Sequence, residues 1–203
     1  SGLTDLLIYL PGGMIPAIYM AGHVSDEEAL KLSMSVLDNG IILLSGSRHA
    51  TVRQAMLHRL ANMKRAELIF APSYALYEYG DEEIRAFLLR ADIAVLNEDE
   101  ADYLARKLAP LRLDKILRLP RMGGVLTLGD RGAELYQQAT PKLHIPSVSG
   151  VKGDTIGAGD AFLCGFLHGL LRGDDWLQAG TFACAIAGQV AAKQGVRVLI
   201  DPI

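Results

Sequence analysis

Asp160 ends the turn Gly157-Ala158-Gly159 and stands directly before an apolar stretch, Ala161 to Phe166. A glycine-rich turn that runs into a helix presents backbone N–H groups with no partner inside the helix. The helix dipole adds positive potential at the same place. Such a turn can hold an oxygen-rich anion, because glycine lets the anion approach the backbone. An aspartate beside it can take the proton of an attacking hydroxyl, as aspartates do in phosphoryl transfer. The same residues also read as an Asp N-cap on a helix beginning near Asp160, and local physics leaves both readings open. Two other phosphate loops are excluded. A Walker-type loop needs Lys and then Ser or Thr after its last glycine, where this chain has Asp160 and Ala161. A dinucleotide fingerprint needs a third glycine where Phe162 stands.

Two further clusters are chemically loaded. Asn97-Glu98-Asp99-Glu100 follows an apolar run, and by itself it reads most simply as the cap of the next helix. Thr127-Leu128-Gly129-Asp130-Arg131-Gly132 reads as a hairpin turn that needs glycine.

The elements that must position these residues follow from hydrophobic spacing. Leu6–Leu10, Ile41–Leu44, Glu67–Ala71 and Ile93–Leu96 are short, nearly all-apolar runs rich in branched residues. Each predicts a strand covered on both faces. Amphipathic stretches lie between them: one opened by Ser25-Asp26-Glu27-Glu28 and closed by Asn39-Gly40, then about 51–64, 81–89 and 98–108. Alternation at this spacing predicts a parallel sheet with helices packed on it, whose ligands bind beyond the carboxyl ends of the strands. After Pro120, strands at Gly124–Leu128 and Ala133–Gln137 predict an appended antiparallel hairpin. The last third is helical and rich in Gly and Ala. No linker or repeat interrupts the chain, so residues 1–203 are expected to form one α/β domain.

Bulk composition agrees with an ordinary globule. Of the 203 residues, 50% are hydrophobic and 21% charged, with a net charge of -3. That balance, without a Lys/Arg cluster, leaves no footprint for nucleic acid. No secretory h-region and no apolar run of bilayer length is present, so no membrane contact and a cytoplasmic location are expected. Cys164 and Cys184 fall in apolar helical stretches and are expected to be buried, reduced thiols.

Asp154-Thr155-Ile156-Gly157-Ala158-Gly159-Asp160 resembles the D-T-x-G-A-G-D signature of the ribokinase (PfkB-type) carbohydrate and nucleoside kinases. Asn97-x-x-Glu100 is similar to that family's N-x-x-E motif, and Thr127-Leu128-Gly129-x-x-Gly132 to its T-L-G-x-x-G loop. Order and spacing agree from about Leu3 to Val196. The resemblance implies a ribokinase-like three-layer α/β/α fold, mostly parallel, with an antiparallel hairpin toward the C-terminal part. It implies an ATP-dependent kinase acting on a sugar or nucleoside hydroxyl, with a homodimer as a further expectation. Asp160 would be the general base, and Gly157, Ala158 and Gly159 would hold charge on the transferred phosphoryl group. Asn97 and Glu100 would organise Mg²⁺, largely through water. Thr127, Leu128, Gly129, Asp130, Arg131 and Gly132 would line the nucleotide, with ATP-Mg²⁺ between this loop and Gly157–Asp160. Asp154 and the Ile156 carbonyl match positions holding a K⁺-like cation. Cys184 falls where several members carry an Asn facing the adenine.

One part of the family pattern has no counterpart. Members begin with a segment carrying a substrate-gripping Asp, a Gly-Gly motif and a β-sheet lid, and residue 1 falls after all of it. Pro11-Gly12-Gly13 reads as a turn and not as that motif. Without the segment, open sheet surface predicts self-association of the chain expressed alone. It also keeps a second reading in view, a non-catalytic nucleotide-binding relative.

Overall fold

The computed structural model describes residues 4–9, 17–20, 41–44, 48, 50–62, 67–148 and 157–192. The chain divides into two compact units, Ser1–Gly124 and Val125–Ile203.

The first unit runs β1 (Thr4–Tyr9), β2 (Ala17–Met20), β3 (Ile41–Leu44), α1 (Ala50–Asn62) and β4 (Glu67–Phe70). A 3-10 segment (Ser73–Glu78), α2 (Asp81–Arg90), β5 (Ile93–Asn97), α3 (Glu98–Lys107) and a single turn, α4 (Leu113–Ile116), follow. Strand order in this unit is β2-β1-β3-β4-β5. β3, β4 and β5 are parallel, with Leu44 opposite Phe70 and Phe70 opposite Ala94. Their apolar runs are buried almost throughout, as expected for strands covered on both faces. The expectation fails for the direction of the first run. β1 is antiparallel to both β2 and β3. Only residues 10–16 separate it from β2, too few for the crossover a parallel pair requires. The expected helix from Ser25 to Asn39-Gly40 and the turn Pro11-Gly12-Gly13 lie outside the described residues.

The core of this unit is built on β4. Phe70 stacks on Phe87 of α2 with ring centroids 5.3 Å apart, and Tyr79 tilts against both rings. Burying one such ring contributes about 2–3 kcal/mol. α2 carries Asp81, Glu82 and Glu83 in its first turn and Arg90 in its last, which suits its dipole. Glu83 accepts from the Gly80 amide at 3.1 Å and from buried Arg53 of α1 at 2.8 Å, tying α1 to the start of α2. Asp92, buried before β5, accepts from the Leu68 amide at 2.7 Å and from Arg121.

The second unit begins within β6 (Gly123–Thr127) and continues through β7 (Ala133–Gln137), β8 (Leu143–Ile145), α5 (Ala158–Arg172) and α6 (Trp176–Ala191). Strand order is β6-β7-β8. The short connection from Leu128 to Gly132 makes β6 and β7 the expected antiparallel hairpin. β8, a further antiparallel strand, pairs Leu143 with Leu135 and Ile145 with Ala133. α5 and α6 meet backbone to backbone. A methyl group on Gly165 would come within 2.9 Å of the Ala183 Cα, and one on Gly169 within 2.8 Å of the Ala179 Cα. Asp175 caps α6 by accepting from the Gln178 amide at 2.8 Å, while Gln178 returns a bond to the Asp175 amide at 3.0 Å. Among the described residues no helix is long and apolar enough to cross a membrane.

Candidate active site

α5 starts two residues before Asp160. Gly157 is its N-cap, in the left-handed region at φ 83, and no side chain bonds to the cap. The first helical bond runs from the Ala161 amide to the Gly157 carbonyl at 2.9 Å. The amides of Ala158, Gly159 and Asp160 therefore have no acceptor within the helix. Gly159 and Asp160 are exposed, and a Cβ on Gly159 would meet nothing within 4 Å among the described residues. This removes the N-cap alternative for Asp160. The reason is conformational: the left-handed turn that enters this helix favours glycine, so the cap falls on Gly157. The Asp160 carboxylate makes no hydrogen bond or ion pair among the described residues. It lies in the first turn, where the dipole favours a negative charge.

One turn further along the same face is Cys164, which is exposed, against the expectation of a buried thiol. Helical spacing places it over Asp160 and away from the core-facing Phe162, Leu163 and Phe166. Desolvation, and secondarily the Asp160 charge, hold its thiol above the ordinary range. Cys184 on α6 is buried as expected, and desolvation pushes its thiol up to about 11.

The loop between β6 and β7 is a closed turn. The Leu128 amide donates to the Gly132 carbonyl at 2.8 Å, around a 3-10 turn at Gly129–Arg131. Thr127 is half-buried, Leu128 buried, and Gly129, Asp130 and Arg131 exposed. Both glycines are required by the turn itself. Gly129 has φ 59, and at Gly132 (φ 95) a Cβ would fall 2.0 Å from the Ile145 carbonyl oxygen. Asp154 and Ile156 lie outside the described residues.

In the first unit, Asn97 and Glu100 are joined in a capping box at the start of α3. Asn97 Oδ1 accepts from the Glu100 amide at 2.9 Å, and Glu100 Oε2 accepts from the Asn97 amide at 2.9 Å. The capping reading of this cluster is thus correct, and it leaves the Asn97 amide NH₂ at an exposed position. Glu100 is 5% exposed, and burial raises its carboxyl pKa, partly opposed by the Asn97 amide. One largely buried carboxylate and an amide are too few to cage a divalent cation alone. They suit Mg²⁺, which keeps several waters and is bound mainly through substrate phosphates. Among the described residues no group of three or more His, Cys, Asp or Glu could hold a metal ion.

The raised Glu100 carboxyl has a consequence for stability. A carboxyl whose folded pKa lies above its unfolded value favours the fold below the unfolded value, and that contribution is lost as pH rises through the folded one. Glu100→Gln keeps an acceptor for the Asn97 amide and removes the titration. The variant is expected to be at least as stable as wild type at pH 7, with a flatter dependence between about pH 4 and 7. Denaturant titrations at both pH values check this. A large loss at pH 7 would show that the charge itself stabilises the cap.

Sequence and structure comparisons agree on one family. The profile of the "pfkB family carbohydrate kinase" matches residues 17–202. A nucleoside kinase of Methanothermobacter thermautotrophicus is 31% identical over 134 residues, 64% of this chain and 41% of its own length. The chain thus spans less than half the length of that relative. The ligand-free structure of Burkholderia thailandensis nucleoside kinase superposes with a TM-score of 0.63 at 28% identity, covering 71% of this chain and 48% of that one. Thermotoga maritima ribokinase superposes with a TM-score of 0.70 over 97% of this chain and 66% of its own. At 21% identity that last likeness is one of fold.

Proposed function

Because the chain belongs to the pfkB family of carbohydrate kinases, we propose that the protein of which it forms part transfers the γ-phosphoryl group of ATP to a hydroxyl of a sugar or nucleoside. Residues 1–203 then act as one ribokinase-like kinase domain, a reading supported by a family match that runs through both units.

The observation that carries the proposal is the state of Asp160. Its carboxylate is exposed, makes no hydrogen bond or ion pair among the described residues, and is set directly beside three amides with no acceptor in the helix. In this reading the carboxylate takes the proton of the acceptor hydroxyl as its oxygen bonds to the γ-phosphorus. The bond from that phosphorus to the bridging oxygen breaks and ADP departs. The amides of Ala158, Gly159 and Asp160 donate to the oxygens of the group in transit, fixed in place before any charge develops. Thr127–Gly132 lies along the nucleotide, where glycine leaves backbone groups accessible. Cys184 stands on the adenine side. Mg²⁺ would be held through water by Asn97 and Glu100 and would supply charge neutralisation at the phosphates.

The experiment is phosphoryl transfer by the full-length protein from γ-labelled ATP-Mg²⁺ to a panel of sugars and nucleosides. Label is expected on one acceptor class. Calorimetry showing ATP binding with no transfer to any acceptor would favour the non-catalytic reading, and no ATP binding would overturn both.

A further inference from the structure

α3 carries its charges sorted by sign. Glu98, Asp99 and Glu100 open the helix, and Arg106 and Lys107 close it. The helix dipole favours that order and is enough to explain it. It does not explain the state of three side chains. Asp99, Asp102 and Arg106 are exposed, and among the described residues their side chains make no hydrogen bond or ion pair. Lys107, by contrast, is held by Asp81 at 2.8 Å. Arg106 stands one turn from Asp102 and two turns from Asp99, so all three share one face. That face is opposite the buried Glu100, Ala101 and Leu104 and points outward.

An aromatic surface lies directly beside it. The 3-10 segment Ser73–Glu78 docks on α3 through Tyr77, whose ring meets Tyr103 edge to face at 4.8 Å. The Tyr103 hydroxyl donates to the Tyr77 carbonyl at 3.5 Å. Residues three apart eclipse in a 3-10 helix, so Tyr74 and Tyr77 stand on one edge. They are 58% and 49% exposed. A single exposed ring needs no explanation, but three tyrosines gathered at the middle of a charged helix do. Tyrosine and arginine are the residue types that anchor interfaces.

The order of the charges selects the partner. A polyanion would be repelled by the acidic end of this face, and a polycation by Arg106. A second α3 laid antiparallel satisfies both ends. With a two-fold axis between Asp102 and Tyr103, Asp99 of each copy faces Arg106 of the other, because both lie equally far from the axis. The tyrosines then meet at the centre, and the two helix dipoles run opposed. Each contact is made twice, as an isologous interface requires.

We propose that the outward face of α3 and the Tyr74–Tyr77 edge form a two-fold interface with a second copy of this chain, with Asp99–Arg106 pairs flanking a tyrosine centre.

The test is sedimentation equilibrium of the full-length protein, with thermal unfolding as the control for folding. The wild type is expected to be a dimer. Arg106→Glu turns both flanking pairs into repulsions and should weaken self-association about a hundredfold. Asp99→Arg combined with Arg106→Glu exchanges the signs and should recover most of that loss. Tyr74→Ser should weaken the dimer about tenfold. The Tyr74 side chain makes no hydrogen bond or ring contact among the described residues, so this change probes the surface at no cost to the fold. A monomeric wild type would overturn the interface. So would unchanged self-affinity in Arg106→Glu or Tyr74→Ser, or a folded double variant that does not recover.

Discussion

Asp160→Asn in the full-length protein is expected to lower kcat by about a hundredfold to ten-thousandfold, the usual cost of losing a general base. ATP affinity should stay level or rise slightly, because a negative charge near the γ-phosphate has gone. Stability should change little. The carboxylate caps nothing, since Gly157 is the N-cap, and the lost charge–dipole attraction in the first turn is worth only about 0.3–1 kcal/mol. The combination is diagnostic: turnover falls while folding and nucleotide binding are kept. Turnover measured with the true acceptor, together with calorimetric ATP affinity, checks it. Wild-type turnover in the Asn variant would end the assignment of Asp160 as base.

Gly132→Ala should have the largest effect on the fold. The added Cβ would sit 2.0 Å from the Ile145 carbonyl oxygen and 2.6 Å from the Ser147 amide nitrogen, both backbone atoms that cannot rotate aside. The residue would also be held at φ 95. A left-handed conformation costs a non-glycine residue roughly 1–2 kcal/mol, and forced overpacking about 1–3 kcal/mol more. A loss of about 2–5 kcal/mol is therefore expected, a large part of the stability of an ordinary domain. Gly159→Ala is the internal control, because among the described residues nothing lies within 4 Å of its Cβ. Urea midpoints of the two variants check the contrast, and equal midpoints would contradict the geometry of the β6–β7 turn.

Much of this architecture is legible in residue order. Ile41–Leu44, Glu67–Phe70 and Ile93–Asn97 form strands because short apolar runs can be satisfied only between two covering layers. The Asn97-x-x-Glu100 spacing announces a capping box, and a capping box is what forms. Other features depend on partners that no local pattern contains. The direction of β1 is set by its pairing with β2 and β3, and Leu6–Tyr9 would be equally apolar either way round. β8 is three residues long with two of them exposed, so it carries no alternation to read. At α5 the residue types suggest a cap at Asp160, and only the backbone angle at Gly157 moves the start of the helix to Ala158. Cys164 is exposed because Phe162, Leu163 and Phe166 take the core-facing side of the same helix.

The close approach of Gly165 and Gly169 to Ala183 and Ala179 bears on how the Gly157–Asp160 turn can move. Helices separated by long side chains can slide, because each rotamer change absorbs a small shift. α5 and α6 have almost no such layer at these positions, and their backbones interlock. Mechanically they form a single stiff lever. Any displacement of the Gly157–Asp160 turn along the axis of α5 must carry α6 and Cys184 with it. In the proposed kinase reading, Gly157–Asp160 and Cys184 would then hold the two ends of the nucleotide as parts of one body.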